Sequence, residues 1–224
     1  MTSNGNRIEV IYDIETKNFF DDNLKEPHQL GISVVSAYRR EIDENLKEVA
    51  GVMRSFWTPD AAPKLSQAEF YFDQMWKWFE EADRIIGYNS FGFDNPAMNG
   101  IYDKGDFTKL KHFDVLDMIR LSFGHRVKLD SVAKETLGQG KIASGGDAVM
   151  WWGKGDPESL ANLKKYCEMD VEVTKGVYDY GVKNKVLRFK DRWNELRETP
   201  VDFSYPIEVV VEEKAPAEVQ MGLF

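Results

Sequence analysis

A chain of 224 residues fits one domain plus a tail, and its single cysteine, Cys167, excludes an intramolecular disulfide and favours a reducing compartment. No apolar stretch approaches a membrane span, and Met1-Thr2-Ser3-Asn4-Gly5-Asn6 lacks the charged and apolar regions of a signal peptide, so a cytoplasmic protein is expected. With 29 basic against 38 acidic side chains the formal charge is -9, which argues against a nucleic-acid partner unless part of the acid is set aside as metal ligands and tail.

The β-branched and aromatic run Ile8-Glu9-Val10-Ile11-Tyr12 predicts a central strand over residues 7 to 14 that turns acidic at Asp13 and Glu15. Side chains two apart on a strand share a face. Two carboxylates held side by side repel unless a proton or a cation lies between them, and a hard divalent ion with oxygen ligands answers that need. Taken alone, Asp-x-Glu also suits a solvated strand end.

Strands are expected near residues 29 to 38 and 48 to 56, then a helix from Ser66. Ser66-x-x-Glu69 is a capping box, and Phe72, Met75, Trp76 and Phe79 keep helical spacing. A short apolar strand near 84 to 88 leads into Asn89-Ser90-Phe91-Gly92-Phe93-Asp94, a turn signal before a helix near 95 to 103. Asp94 falls at the positive end of that helix, where it reads equally as an N-cap.

Further helices are expected near 115 to 123 and 129 to 137. Asp114 and Asp117 read as the N-cap and first turn of the former, or as aids to a metal. Residues 104 to 141 are locally basic, with Arg120, Arg126, Lys128 and Lys134 among their cations, which suits either a phosphate backbone or a solvated helical face. Trp151-Trp152 lies in a Gly-rich stretch from Ser144 to Gly155 and serves either stacking on unpaired bases or lid packing.

Asp156-Pro157, an N-cap followed by Pro at the first helical position, opens a helix expected to run to about Tyr180. Its apolar stripe collects Leu163, Cys167, Thr174 and Val177, and Tyr166 and Asp170 lie on or beside it. A carboxylate turned inward is costly unless paired or metal-bound. Strands before helices, without repeats, give an α/β pattern with antiparallel ribbons leading into a mixed sheet.

The order Asp13-x-Glu15, then Asn89-x-x-x-Phe93-Asp94, then Tyr166-x-x-x-Asp170 resembles the three motifs of the DEDD (DnaQ-like) 3'-to-5' exonuclease superfamily, over roughly residues 7 to 180. Lys165 stands where the histidine branch has its His, whereas Tyr166 fits the tyrosine (DEDDy) branch. His112-Phe113-Asp114-Val115-Leu116-Asp117 and Leu129-Asp130-Ser131-Val132-Ala133 also look like stand-alone or helicase-fused members. The resemblance implies a ribonuclease H-like fold with a mixed five-stranded sheet flanked by helices. It implies that Asp13, Glu15, Asp94 and Asp170 hold two Mg2+ or Mn2+ ions and that Tyr166 orients the attacking water. It also implies substrate contacts from Thr16 and Asn89 and an apolar wedge at Phe19, with Phe20 as competitor and core packing as the plain alternative.

From Tyr205 the composition changes to an exposed acidic tail that ends in Gln220-Met221-Gly222-Leu223-Phe224. Gln220, Met221, Leu223 and Phe224 resemble the bacterial sliding-clamp-binding peptide, which implies recruitment to that clamp in a bacterial or phage-infected cell. The same residues could instead fold back onto the domain as a staple. The expected activity is a two-metal 3'-to-5' exonuclease on single-stranded or frayed DNA ends in replication or repair. An exoribonuclease and an inactive DNA- and clamp-binding adaptor are the alternatives.

Overall fold

The computed structural model describes residues 5–59, 61, 70–138 and 145–206. Strand β1 (Arg7–Thr16) is central, antiparallel to β2 (Ile32–Ile42) on one side and parallel to β5 (Arg84–Gly87) on the other. Beyond β2 lies β3 (Glu48–Trp57), antiparallel, and beyond β5 lies β6 (His112–Asp114), parallel. These five strands form the mixed sheet expected. The two-residue β4 (Phe70–Tyr71) adds a sixth at the far edge, in the order β4-β3-β2-β1-β5-β6.

Among the described residues six helices flank the sheet: α1 (Trp76–Glu80), α2 (Asp94–Asn99), α3 (Val115–Phe123), α4 (Leu129–Leu137), α5 (Gly145–Lys154) and α6 (Pro157–Asn184). α3 and α4 keep the boundaries that their apolar spacing predicts. Where the helix expected from Ser66 would continue, residues 70–80 instead form β4, a 3-10 turn over Phe72–Gln74 and the short α1, because Phe70–Tyr71 pairs with Phe56–Trp57. Met75, Trp76 and Phe79 are nevertheless buried, as their spacing requires. Among the described residues no helix is long and apolar enough to cross a membrane.

The alternation of β1 sorts its side chains into two cores. Val10, Tyr12 and Ile14 pack with Phe79, Met98 and Phe107, whereas Ile11 faces the other way, with Val171 and Val177 of α6. Glu9, Asp13 and Glu15 have the parity of Ile11 and so meet α6. Glu9 is only 1 % exposed, and its carboxylate accepts from Arg40 Nε (2.8 Å), Tyr178 Oη (2.8 Å) and Tyr205 Oη (2.6 Å). Arg40 Nη2 also donates to Asp179 at 2.7 Å, so the buried cation is neutralised on two sides. Two contacts on one helix, at Tyr178 and Asp179, thus fix α6 against β1 and β2.

After α6 the chain forms a hairpin, β7 (Val186–Lys190) and β8 (Leu196–Pro200), beyond the elements expected from sequence. Phe189 packs edge-on against Phe123, and Lys190 exchanges backbone hydrogen bonds with the Ser131 hydroxyl at 3.0 Å, seating the hairpin on α3 and α4. Residues 201–206 return along the sheet, where the Arg84 guanidinium donates to the carbonyls of Phe203 and Ser204. The capping box at Ser66 and Glu69 and the peptide from Gln220 to Phe224 lie outside the described residues.

Candidate metal centre

Pairing between β1 and β5 stops at Ile11 and Ile86, so Asp13 and Glu15 extend past the end of β5 while β2 still supports them from the other side. The Ser33 hydroxyl donates to the Glu15 carbonyl at 2.9 Å, and a register irregularity follows between Glu15 and Thr16. On the face that Asp13 and Glu15 share, α6 supplies Asp170. The carboxylate oxygens of these three acids lie within 4.8 Å of one another.

α6 reaches this position because Asp156 caps it, accepting from the Ser159 backbone N–H at 2.9 Å, and because its buried stripe continues unbroken through Leu163, Cys167, Val171 and Val177. The Cys167 thiol donates to the Asp13 carbonyl at 3.4 Å. Burial, then the charges of Asp13 and Glu15, push that thiol well above its ordinary range, so it remains a neutral packing group.

Asp94 arrives from the other side of β1. The Tyr12 hydroxyl donates to Asn95, and the Asn95 N–H donates to the Ser90 carbonyl at 2.8 Å, which anchors the start of α2. Asp94 occupies the first turn, with Phe93 at the capping position, so it is not the N-cap that its sequence context allowed. Burial raises its carboxyl to about 7; the charges of Asp114 and Asp170 add to the rise, and N–H donation from its own turn and from Ile14 opposes it. Asp94 stands outside the cluster of three, yet within reach of the Asp170 charge.

The loop that carries Asp94 is held by Asp114. One Asp114 oxygen accepts from Asn89 (2.8 Å) and Leu116 (2.9 Å), and the other accepts from Phe91 (2.9 Å). Asp114 is therefore the N-cap of α3, as read from sequence, and also a clamp on the loop before Asp94, which sequence did not reveal. Burial leads in raising its carboxyl despite those donors.

Tyr166 is buried one turn before Asp170 and hydrogen-bonds to it. Burial, then the charges of Asp170, Glu15 and Asp13, drive its phenol far above the ordinary value, so it stays protonated. Lys165 beside it is exposed. Trp151, on α5, meets the Tyr166 ring edge-on at 6.1 Å, so the Gly-rich stretch contains a helix packed against this wall of the site.

Of the expected substrate contacts, Thr16 is buried, with its hydroxyl donating to the Asn18 carbonyl at 3.0 Å. Phe19 and Phe20 are both about half exposed, and the Phe20 ring packs edge-on against Phe93 at 6.0 Å. Asn89 adopts a left-handed backbone (φ 64°) and its side chain accepts from Arg126.

An all-carboxylate oxygen set suits a hard divalent cation rather than a soft one. A family model described as RNase_H superfamily matches residues 10–182, a span that runs from within β1 to two residues short of the end of α6. No curated protein matches the chain.

Proposed function

Because this chain belongs to the RNase_H superfamily, we propose that it is a 3'-to-5' exonuclease of the tyrosine (DEDDy) branch that hydrolyses DNA with two divalent ions. The observation that carries the reading is the convergence of Asp13 and Glu15 of β1 with Asp170, from the last quarter of the chain, within 4.8 Å. Asp94 supports it as the fourth ligand, since a buried carboxyl facing Asp170 would be stabilised as the anion by a nearby cation. When bound, Mg2+ or Mn2+ would acidify a water and offset charge on the leaving 3'-oxygen.

The residues of the chain then divide the remaining work. Asp13, Glu15, Asp94 and Asp170 hold the ions. Tyr166, kept as a neutral phenol, is unsuited to remove a proton and instead orients the attacking water through its hydroxyl. Its burial beside an exposed Lys165 supports the tyrosine branch over the histidine branch. Thr16 and Asn89 position the terminal nucleotide, and Phe19, exposed past the end of β1, wedges against the last bases. DNA rather than RNA rests on Gln220, Met221, Leu223 and Phe224, which would tether the enzyme to a bacterial sliding clamp.

The test is purified protein with Mn2+ on matched single-stranded DNA and RNA, blocked at either end. Metal-dependent release of mononucleotides from DNA with a free 3' end is expected, and a 3' block should stop it. Internal cuts, or no release from either polymer, would overturn the reading. Deleting residues 220 to 224 should leave activity on free oligonucleotides intact and remove stimulation by the clamp; loss of basal activity would make the tail structural.

A further inference from the structure

Beside the loop before Asp94, and lined by none of the four candidate metal ligands, lies a cleft of about 520 Å³. The segment from Phe123 to Ser131, between α3 and α4, forms one wall, and the tip of the β7–β8 hairpin forms the other. Although the chain carries nine excess negative charges, this cleft gathers Arg126, Lys128, Lys190 and Arg192 with His125. Asp191, the one acid among its described lining residues, is engaged by Arg197 at 2.7 Å and by the backbone of its own turn. Among the described residues no carboxylate pairs with Arg126, Lys128 or Arg192.

Trp193 stands at the hairpin tip with 62 % of its surface exposed and the Arg192 guanidinium 4.0 Å above its ring. A large aromatic held in water by a structured turn, beside cations that no described carboxylate engages, suits stacking on a nucleobase rather than packing of the protein's own core. The cleft also connects to the site. Arg126 both lines it and donates to Asn89, which opens the loop leading to Asp94, and the Tyr88 hydroxyl fastens the Val127 carbonyl at 2.8 Å.

We propose that this cleft is a second binding track, in which Arg126, Lys128 and Arg192 follow the phosphates of a single nucleic-acid strand and Trp193 stacks on one of its bases, away from the end being cleaved. This rests on the nuclease reading for its direction, but binding can be read without cleavage. A single strand fits better than a duplex because stacking on Trp193 requires an unpaired base face.

Full-length protein in EDTA is titrated against a fluorescent oligodeoxythymidylate of about 20 nucleotides, long enough to span several subsites. The double variant Arg192→Glu, Trp193→Ala should bind at least about tenfold more weakly and show a shallower dependence on salt. Trp193→Ala alone should weaken binding with the salt slope unchanged. Lys183→Glu, an equal change of net charge on an exposed residue outside the cleft, should bind like wild type. Both hairpin changes lie on exposed side chains, and unaltered melting would verify folding. The proposal is overturned if the double variant binds within about twofold of wild type, if Lys183→Glu loses as much, or if a duplex of equal length competes better than the strand. A wild type that binds the strand yet releases no nucleotide with Mn2+ would remove the exonuclease assignment and leave the track standing.

Discussion

The Cys167 thiol donates to the Asp13 carbonyl at 3.4 Å, and this contact lies less than one helical turn from Asp170. Strand and helix are thereby joined at the point where three carboxylates are brought together against their mutual repulsion. Asp170→Asn should therefore act in opposite directions on activity and on stability. Metal-dependent cleavage should fall at least roughly a thousandfold, about 4 kcal/mol of lost transition-state stabilisation. In EDTA the same variant should melt higher by roughly 2–4 °C, since about 1 kcal/mol of repulsion is relieved. Mn2+ should raise the melting temperature of wild type and leave that of the variant nearly unmoved. Retained activity, or a drop of several degrees in EDTA, would show that the acids do not share a cation.

His112 sets a pH dependence remote from the acids. Its Nε2 meets the Phe107 carbonyl at 2.7 Å and must carry the proton, while Nδ1 is buried with no partner among the described residues. Burial accordingly lowers the imidazole below its ordinary value, against the pull of that carbonyl. The unfolded chain takes up the proton first as pH falls below about 6.5, so this contribution to stability is full above that pH and is lost through the folded value. Urea midpoints between pH 8 and pH 5 should decline with a slope of up to about 1.4 kcal/mol per pH unit from this group. His112→Gln should flatten the decline; an identical profile in the variant would assign it elsewhere.

Gly181 tests the packing of the far end of α6. Helix propensity alone favours Ala by about 1 kcal/mol. A Cβ there would come within 2.2 Å of the Phe203 ring, which is itself stacked on Tyr178 (centroids 5.5 Å apart) and held edge-on by Phe113. Gly181→Ala should therefore destabilise by about 1–3 kcal/mol in denaturant melts. A gain would mean that residues 201–206 do not pack on the helix in solution.

How far the site could be read from sequence follows from the range of the interactions that build it. Asp13 and Glu15 were legible because strand parity is local, and Tyr166 with Asp170 because four residues make one helical turn. Helix boundaries at Val115, Phe123, Leu129 and Leu137 were legible for the same reason. Glu9 was not: it sits in the same run as Ile8 and Val10, and its burial depends on Arg40, Tyr178 and Tyr205 arriving from distant segments. The raised carboxyl of Asp94 is likewise a product of assembly. The hairpin does leave a local signal, for Leu187-Arg188-Phe189-Lys190 alternates with a period of two and Asp191 begins a turn.

Asp114 separates a scaffold from a ligand. Its two oxygens together accept from Asn89, Phe91, Leu116 and Asp117, which leaves its lone pairs committed to the loop that delivers Asp94. Asp114→Asn keeps the shape but turns an amide NH2 toward one of these donors, at a cost of about 1–3 kcal/mol. The loop should loosen, and the cleavage rate should fall by about tenfold rather than the thousandfold expected for Asp170→Asn. Mn2+ affinity, measured by calorimetry, should stay within about threefold of wild type, because no ion ligand has been removed. If Asp114→Asn instead abolishes both Mn2+ binding and cleavage, Asp114 belongs to the metal shell and its role as a clamp on the loop is secondary.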